Sequence, residues 1–203
     1  MTRLNQWKNT SDVINWLTNI PDMQKHSFPS FDIDSFYPSI TESVLSKAIS
    51  LAKNHTTISG KEIDIIMHCR KSLLFDNETA WTKKNHSSMF DVTMGSFDGA
   101  EVCELIGLFL LNNFSEKYGN VGHYRDDGLV LLRNSSGPQS EGTRKDIRRE
   151  FKKQGLNISI STNQKICNFL DVTLNLTDEP TNYTESPTTK LSTLTPIPTI
   201  RQQ

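Results

Sequence analysis

Residues 121–124 (Val-Gly-His-Tyr) and 129–132 (Leu-Val-Leu-Leu) are short apolar runs separated by Arg125-Asp126-Asp127-Gly128. Runs of this length joined through Asp-Gly predict a β-hairpin, because Asp and Gly tolerate the backbone angles of a tight reversal. Such a hairpin carries two adjacent carboxylates at its tip. Held about 4 Å apart they repel by roughly 4 kcal/mol at an effective dielectric of 20, so a positive partner is needed if both stay charged. The plainer alternative is an acidic turn with no further role, since Asp-Gly is a common hairpin sequence.

A second acidic strand end favours chemistry. Residues 28–34 read as a strand that carries Asp32 to the Pro-bounded turn Tyr37-Pro38-Ser39. If this strand lies beside residues 121–124, Asp32 faces Asp126 and Asp127. Three converging carboxylates make an oxygen-rich site suited to Mg²⁺, with Mn²⁺ as a substitute. Asp34 points the same way along a regular strand and stays open as the ligand in place of Asp32. For Asp32 itself the alternative is a solvated helix-entry position. Two cations held about 3.5 to 4 Å apart activate a hydroxyl and stabilise a leaving oxygen in phosphoryl transfer, without a covalent nucleophile. No Ser-His-Asp order or Cys-His pair stands out to compete, and the five dispersed histidines make a weak case for zinc.

Around these motifs the pattern alternates. Ser11 or Asp12 is placed to cap a short helix to Ile20; Ser39-x-x-Glu42 and Ser59-x-x-Glu62 read as capping boxes opening two more helices. Residues 73–84 read as a hairpin around Asp76-Asn77, residues 88–93 as a possible further strand, and Asp98-x-x-Glu101 as the start of the longest helix. Gly107 lies inside that helix, at a cost of about 1 kcal/mol relative to Ala unless close packing requires it. Residues 134–142 read as a linker, Thr143 as the cap of a basic helix ended by Gly155, residues 156–160 as a strand with one buried face, and residues 169–176 as a last strand. Helices segregated onto one face of an antiparallel sheet are the expected α+β architecture. Residues 1–27 are an N-terminal connector, 28–176 the folded domain, and 177–203 a Thr/Pro-rich tail too poor in large apolar residues to order.

The formal charge of -1 argues neither for nor against a nucleic-acid partner. Residues 144–153 hold six basic and two acidic side chains, a pattern most often found on a solvated helix face. The separated Cys69, Cys103 and Cys167 read as core thiols of a reducing compartment, and no run reaches the roughly 18 apolar residues of a membrane span.

The residues 31–40, Phe-Asp-Ile-Asp-Ser-Phe-Tyr-Pro-Ser-Ile, resemble the first catalytic motif of reverse-transcriptase palm domains. Met94-Gly95-Ser96 resembles the core of the glycine motif, and Tyr124-Arg125-Asp126-Asp127 matches the Tyr-x-Asp-Asp motif. Gly155 through Lys165, then Phe169-Leu170-Asp171, resemble the motifs behind it, in the style of Penelope-like and related eukaryotic retroelement polymerases. Tyr-x-Asp-Asp alone is weak; the ordered set is specific.

The resemblance implies a polymerase palm that extends a DNA primer on an RNA template with dNTPs. It makes Asp32, Asp126 and Asp127 the catalytic carboxylates, and it makes them metal ligands together with the carbonyl of Ile33. It favours Asp32 over Asp34. It places Tyr37 beneath the incoming sugar, although a core aromatic is the alternative, and sets Gly95 and Ser96 against template and nucleotide. Lys165 is put near the triphosphate, with a solvated turn lysine as the alternative, and Arg125 beside the carboxylates or a primer phosphate. Phe97-Asp98-Gly99-Ala100-Glu101 departs from the family's usual Pro and small residues. Only 31 residues precede Asp32, so the family's fingers have no adequate counterpart, and no thumb follows residue 176. The expectation is either a reverse transcriptase of nucleus or cytoplasm, without evidence for an oligomer, or an inactive retroelement fragment with at most weak nucleic-acid or metal binding. An unrelated α+β binding module is the third reading.

Overall fold

The computed structural model describes residues 4–71, 74–81, 90–177 and 183–185. In chain order the elements are β1 (Asn5–Gln6), α1 (Thr10–Thr18), β2 (His26–Ile33), α2 (Phe36–Ser39), α3 (Glu42–Ala52) and α4 (Gly60–His68). Next come β3 (Leu74–Asp76), β4 (Thr79–Trp81), α5 (Gly99–Tyr118), β5 (Val121–Tyr124), β6 (Asp127–Val130) and β7 (Leu132–Arg133). The last are α6 (Gly137–Lys153), β8 (Ile158–Gln164), β9 (Ile166–Phe169), β10 (Val172–Asn175) and β11 (Tyr183–Glu185).

The main sheet runs β1-β5-β6-β2, and β2 also pairs with β7 and β8. Its pairs are antiparallel except β1 with β5. Being paired on both sides, β2 is buried over most of its length. Pro29 has no N–H to give to a ladder, and the β2–β8 register shifts between Phe28 and Ser30, where such a residue is tolerated.

The fold is a mixed α+β arrangement with helices packed against an antiparallel sheet, but both faces of the sheet are covered. On one face Phe31, Ile33, Val121 and Val130 pack with α3, α5 and α6 through Val44, Leu45, Ile106, Leu110, Ile147 and Phe151. On the other, Phe28, Leu129 and Leu131 pack with Val13 and Leu17 of α1 and with Cys167, Phe169, Val172 and Leu174 of the β9-β10 hairpin. Helices on one face alone is therefore corrected. Each strand alternates two apolar sets, and each set needs its own cover.

Several boundaries differ from the sequence pattern for local reasons. Asn9 caps α1, accepting the Asp12 N–H at 3.1 Å, while Asp12 accepts the Lys8 N–H at 2.8 Å. Thr41 caps α3, since Ser39 closes the one-turn α2; the Ser59/Glu62 box forms as expected. Asp98 stands at the head of α5 but makes no cap, because its carboxylate pairs with Arg70. Residues 134–142 are not a linker: α6 starts at Gly137, where Pro138 suits the first turn and the Gln139 side chain accepts the Ser136 N–H at 2.9 Å. Residues 169–176 are not one strand, because Leu170, at φ +52°, and Asp171 turn the chain between β9 and β10. The hairpin around Asp76-Asn77 forms as β3-β4. Of residues 88–93, Phe90 makes an isolated bridge to Lys71 and no strand follows it, while 88 and 89 lie outside the described residues. Within 177–203, Tyr183–Glu185 pairs with β10; Thr177 and these three are described, and the rest lie outside.

Two glycines are fixed by close approach. A Cβ on Gly107 would lie 2.9 Å from the His123 ring, which accounts for glycine inside α5. A Cβ on Gly128 would lie 2.0 Å from the Phe31 ring, itself packed 5.0 Å from Phe151. Gly128→Ala is expected to cost about 1–3 kcal/mol through overpacking. Gly137→Ala, with nothing within 4 Å, is expected to change stability by under about 0.5 kcal/mol. Urea denaturation midpoints of the two variants check the contrast.

Candidate active site

The hairpin and the first acidic strand meet in a defined register. Strand β2 lies beside β6 and not beside residues 121–124, because β6 is the inner arm of the β5-β6 hairpin. Asp32 and Asp127 are direct cross-strand partners, so their side chains leave the same face. Asp126 sits in the two-residue turn, and its carbonyl accepts the Ile33 N–H at 2.9 Å. Asp34 lies beyond the end of β2, where its carboxylate accepts the Ser159 hydroxyl at 2.9 Å and its N–H goes to the Asn157 carbonyl. Of the two candidates in that strand, Asp32 is the one paired with the hairpin.

Asp32 and Asp127 border a groove of about 190 Å³ that Ser30, Ser159, Ser161, Asn168 and Phe169 also line. Residues 158–164 alternate, so when Ile158 and Ile160 face the helices the intervening serines face the groove. That period of two is a signal in the sequence; Asn168 carries none, since only the return of the β9-β10 hairpin brings it there.

The electrostatics of the pair are one-sided. Burial, then Asp126 and Asp32, push the Asp127 carboxyl up to about 6. Burial, then Asp126 and Asp34, raise Asp32. Among the described residues none of the three acids makes a salt bridge. Arg125 lies with its guanidinium 5.3 Å from the Tyr124 ring centre. Both Arg125 at the tip (φ +52°) and Ser35 just past β2 (φ +50°) are in the left-handed region, at about 1 kcal/mol each.

Tyr37 and the glycine motif come to the same end of the sheet. A Cβ on Gly99 would lie 3.7 Å from the Tyr37 ring and 2.6 Å from the Ser96 hydroxyl, which is buried without a partner. The Tyr37 hydroxyl is raised by burial and by the neighbouring Cys103 thiol, and both Arg125 and Asp126 act on it. Burial pushes Cys103 itself up to about 12. Gly95, at φ +86°, is exposed at the crest of the loop, a backbone angle that favours glycine.

Lys165 is not brought to this site. Its ammonium donates to the carbonyls of Gln24, at 2.7 Å, and His26, at 2.5 Å. The His26 carbonyl is at the start of β2, about 20 Å from Asp32 at the rise of a strand, and Gln24 lies just before it. Two backbone acceptors hold the Lys165 charge there.

Hard carboxylate oxygens suit Mg²⁺, which commonly takes one or two carboxylates and completes its shell with water and phosphate. Among the described residues no group of three or more His, Cys, Asp or Glu side chains is arranged to hold a metal ion. The donor set fits a cation held by the facing Asp32 and Asp127 and finished by other oxygens, not a cage made by the protein alone.

The raised Asp127 sets a pH dependence. Between the unfolded value of 3.8 and about 6 the folded chain keeps a proton that the unfolded chain has lost, so stability falls as pH rises through that window. Asp127→Asn is expected to raise stability at pH 7 by about 1–2 kcal/mol after allowance for solvent screening, with the gain vanishing below pH ~4. Thermal melts of both proteins at several pH values measure this.

No family model and no curated protein matches the sequence. A solved structure does: apo telomerase from Candida tropicalis superposes with a TM-score of 0.61 at 13% identity, covering 85% of this chain and 36% of that one. The chain thus spans about a third of the length of the telomerase it matches. At that identity the likeness is one of fold alone, to the matched third of the telomerase structure.

Proposed function

We propose that the chain is a palm module of reverse-transcriptase type whose 203 residues, taken alone, bind a divalent cation and nucleic acid weakly and do not extend a primer. The observation that carries this reading is the direct pairing of Asp32 with Asp127 at the end of the sheet that also holds Asp126. Two facing carboxylates attract Mg²⁺ or Mn²⁺, and a site without a third enclosing ligand holds it loosely.

The second reading is the full activity: RNA-directed DNA synthesis from dNTPs on a DNA primer. The ordered motifs from Asp32 to Asp171 favour it. When bound, the metal ions would supply Lewis-acid stabilisation of the attacking and leaving oxygens. On that reading the chain's own part is to fix Asp32 and Asp127 by strand pairing, to seat Tyr37 beside Gly99, where it would lie under the nucleotide sugar, and to leave Gly95 exposed to the template.

Mn²⁺ titration followed by water-proton relaxation is expected to show weak binding that falls about tenfold or more in Asp32→Asn. Primer extension on an RNA template with dNTPs and Mg²⁺ is expected to match the Asp126→Asn background. Extension by the wild type that Asp126→Asn abolishes would replace the weak-binding reading with the polymerase.

A further inference from the structure

We propose that the outer face of α6 is a docking surface for the phosphate backbone of duplex nucleic acid, with Lys145, Arg148 and Lys152 as its contacts. The proposal rests on the reading of the chain as a nucleic-acid binder and adds a surface on the side of the sheet away from the carboxylates. Ile147 and Phe151 of α6 are buried with Phe31 on one face, whereas Asp32, the next residue of β2, borders the groove on the other.

The charges of α6 are sorted by height above the core. Between Gly137 and Lys153 the helix has six basic and three acidic side chains. The acids lie low: Glu150 is 30% exposed, Asp146 33% and Glu141 43%, against 58% for Lys153, 61% for Arg149 and 72% for Lys145. Each acid is already engaged. Asp146 is shared between Lys117 of α5, at 2.8 Å, and Arg149, at 2.5 Å; Glu150 holds Lys153 at 2.9 Å, and Glu141 holds Arg144 at 2.6 Å. Lys145 reaches Glu141 only at 3.9 Å, and among the described residues Arg148 and Lys152, both exposed, make no ion pair. Spacings of three and four set Lys145, Arg148 and Lys152 in one row on the helix surface.

A row of unanswered cations favours a polyanion, whose docking releases condensed salt ions. The row covers about 10 Å of helix, a length over which a DNA duplex carries about six phosphate charges. The face suits a backbone and not unpaired bases, because the one aromatic side chain of α6 is the buried Phe151 and nothing on the face can stack. A membrane surface fits less well. A helix lying in a bilayer interface inserts its apolar face, and that of α6 is buried in the core.

The test uses the 203-residue chain and a short end-labelled RNA duplex of mixed sequence, with binding read by anisotropy across a salt series starting at about 50 mM. Arg148→Gln with Lys152→Gln is expected to weaken binding about tenfold at low salt. The slope of log K against log salt is expected to become shallower by about 2, since each lost phosphate contact removes about 0.9. Its melting temperature is expected to stay unchanged, because both side chains are exposed. Lys53→Gln with Lys61→Gln removes the same charge from exposed positions elsewhere and is expected to keep wild-type affinity. Wild-type affinity and slope in the α6 variant overturn the docking surface and leave the nucleic-acid reading standing. An equal loss in the Lys53 and Lys61 variant overturns it as well, because net charge alone then explains the binding. Tighter binding of the wild type to phosphatidylserine vesicles than to the duplex, lost in the α6 variant, gives the face to a membrane and also overturns it. No binding of the duplex by the wild type removes both the surface and the nucleic-acid reading, while the cation site stands on its own Mn²⁺ titration.

Discussion

The pairing of β2 on both of its edges is the constraint from which the rest of the structure follows. One edge sets Ser30, Phe31 and Asp32 against Leu129, Gly128 and Asp127; the other sets Phe31 and Asp32 against Ile160 and Ser159. Side chains along a strand alternate, so a slip of one residue would drive Asp32 among Phe114, Phe151 and Ile106 and expose Phe31 in the groove. Burying an unpaired carboxylate costs several kcal/mol, and the loss of an aromatic contact adds to it. The register that buries the apolar residues is thereby the register that sets Asp32 facing Asp127.

The site is assembled against local preference. Like charges face one another without a salt bridge, two non-glycine residues hold left-handed backbone angles, and the Ser96 hydroxyl is buried without a partner. Such features persist where surrounding packing over-determines them. Here that packing is the Phe31, Phe114 and Phe151 group on one face and the Trp7, Phe28 and Phe169 group on the other.

Much of this was legible in the residues, with instructive exceptions. The β5-β6 hairpin, the Ser59/Glu62 cap and the long α5 are local features, set by turn chemistry and periodicity. The helical start of α6 was hidden because Gly137 and Pro138 look like linker residues, and their effect depends on the cap that follows. Asp98 resembled a helix cap, yet a buried guanidinium from 28 residues earlier takes its carboxylate. Lys165 resembled a phosphate ligand, and the carbonyls of Gln24 and His26 accept from its ammonium. The basic run of α6 is largely answered by its own acids: Glu141 with Arg144, Asp146 with Arg149, and Glu150 with Lys153.

The sequence by itself determined which segments are strands and helices in most of the chain, and that carboxylates stand at the ends of two apolar strands. Those outcomes depend on neighbours within a few residues, where backbone angles and side-chain spacing decide. Only the tertiary structure decided that Asp127 is the residue opposite Asp32, that both sheet faces are covered, and that Arg70 pairs with Asp98. Those choices join residues far apart in the chain, and they are settled by which arrangement buries the most apolar surface while leaving the fewest charges unpaired.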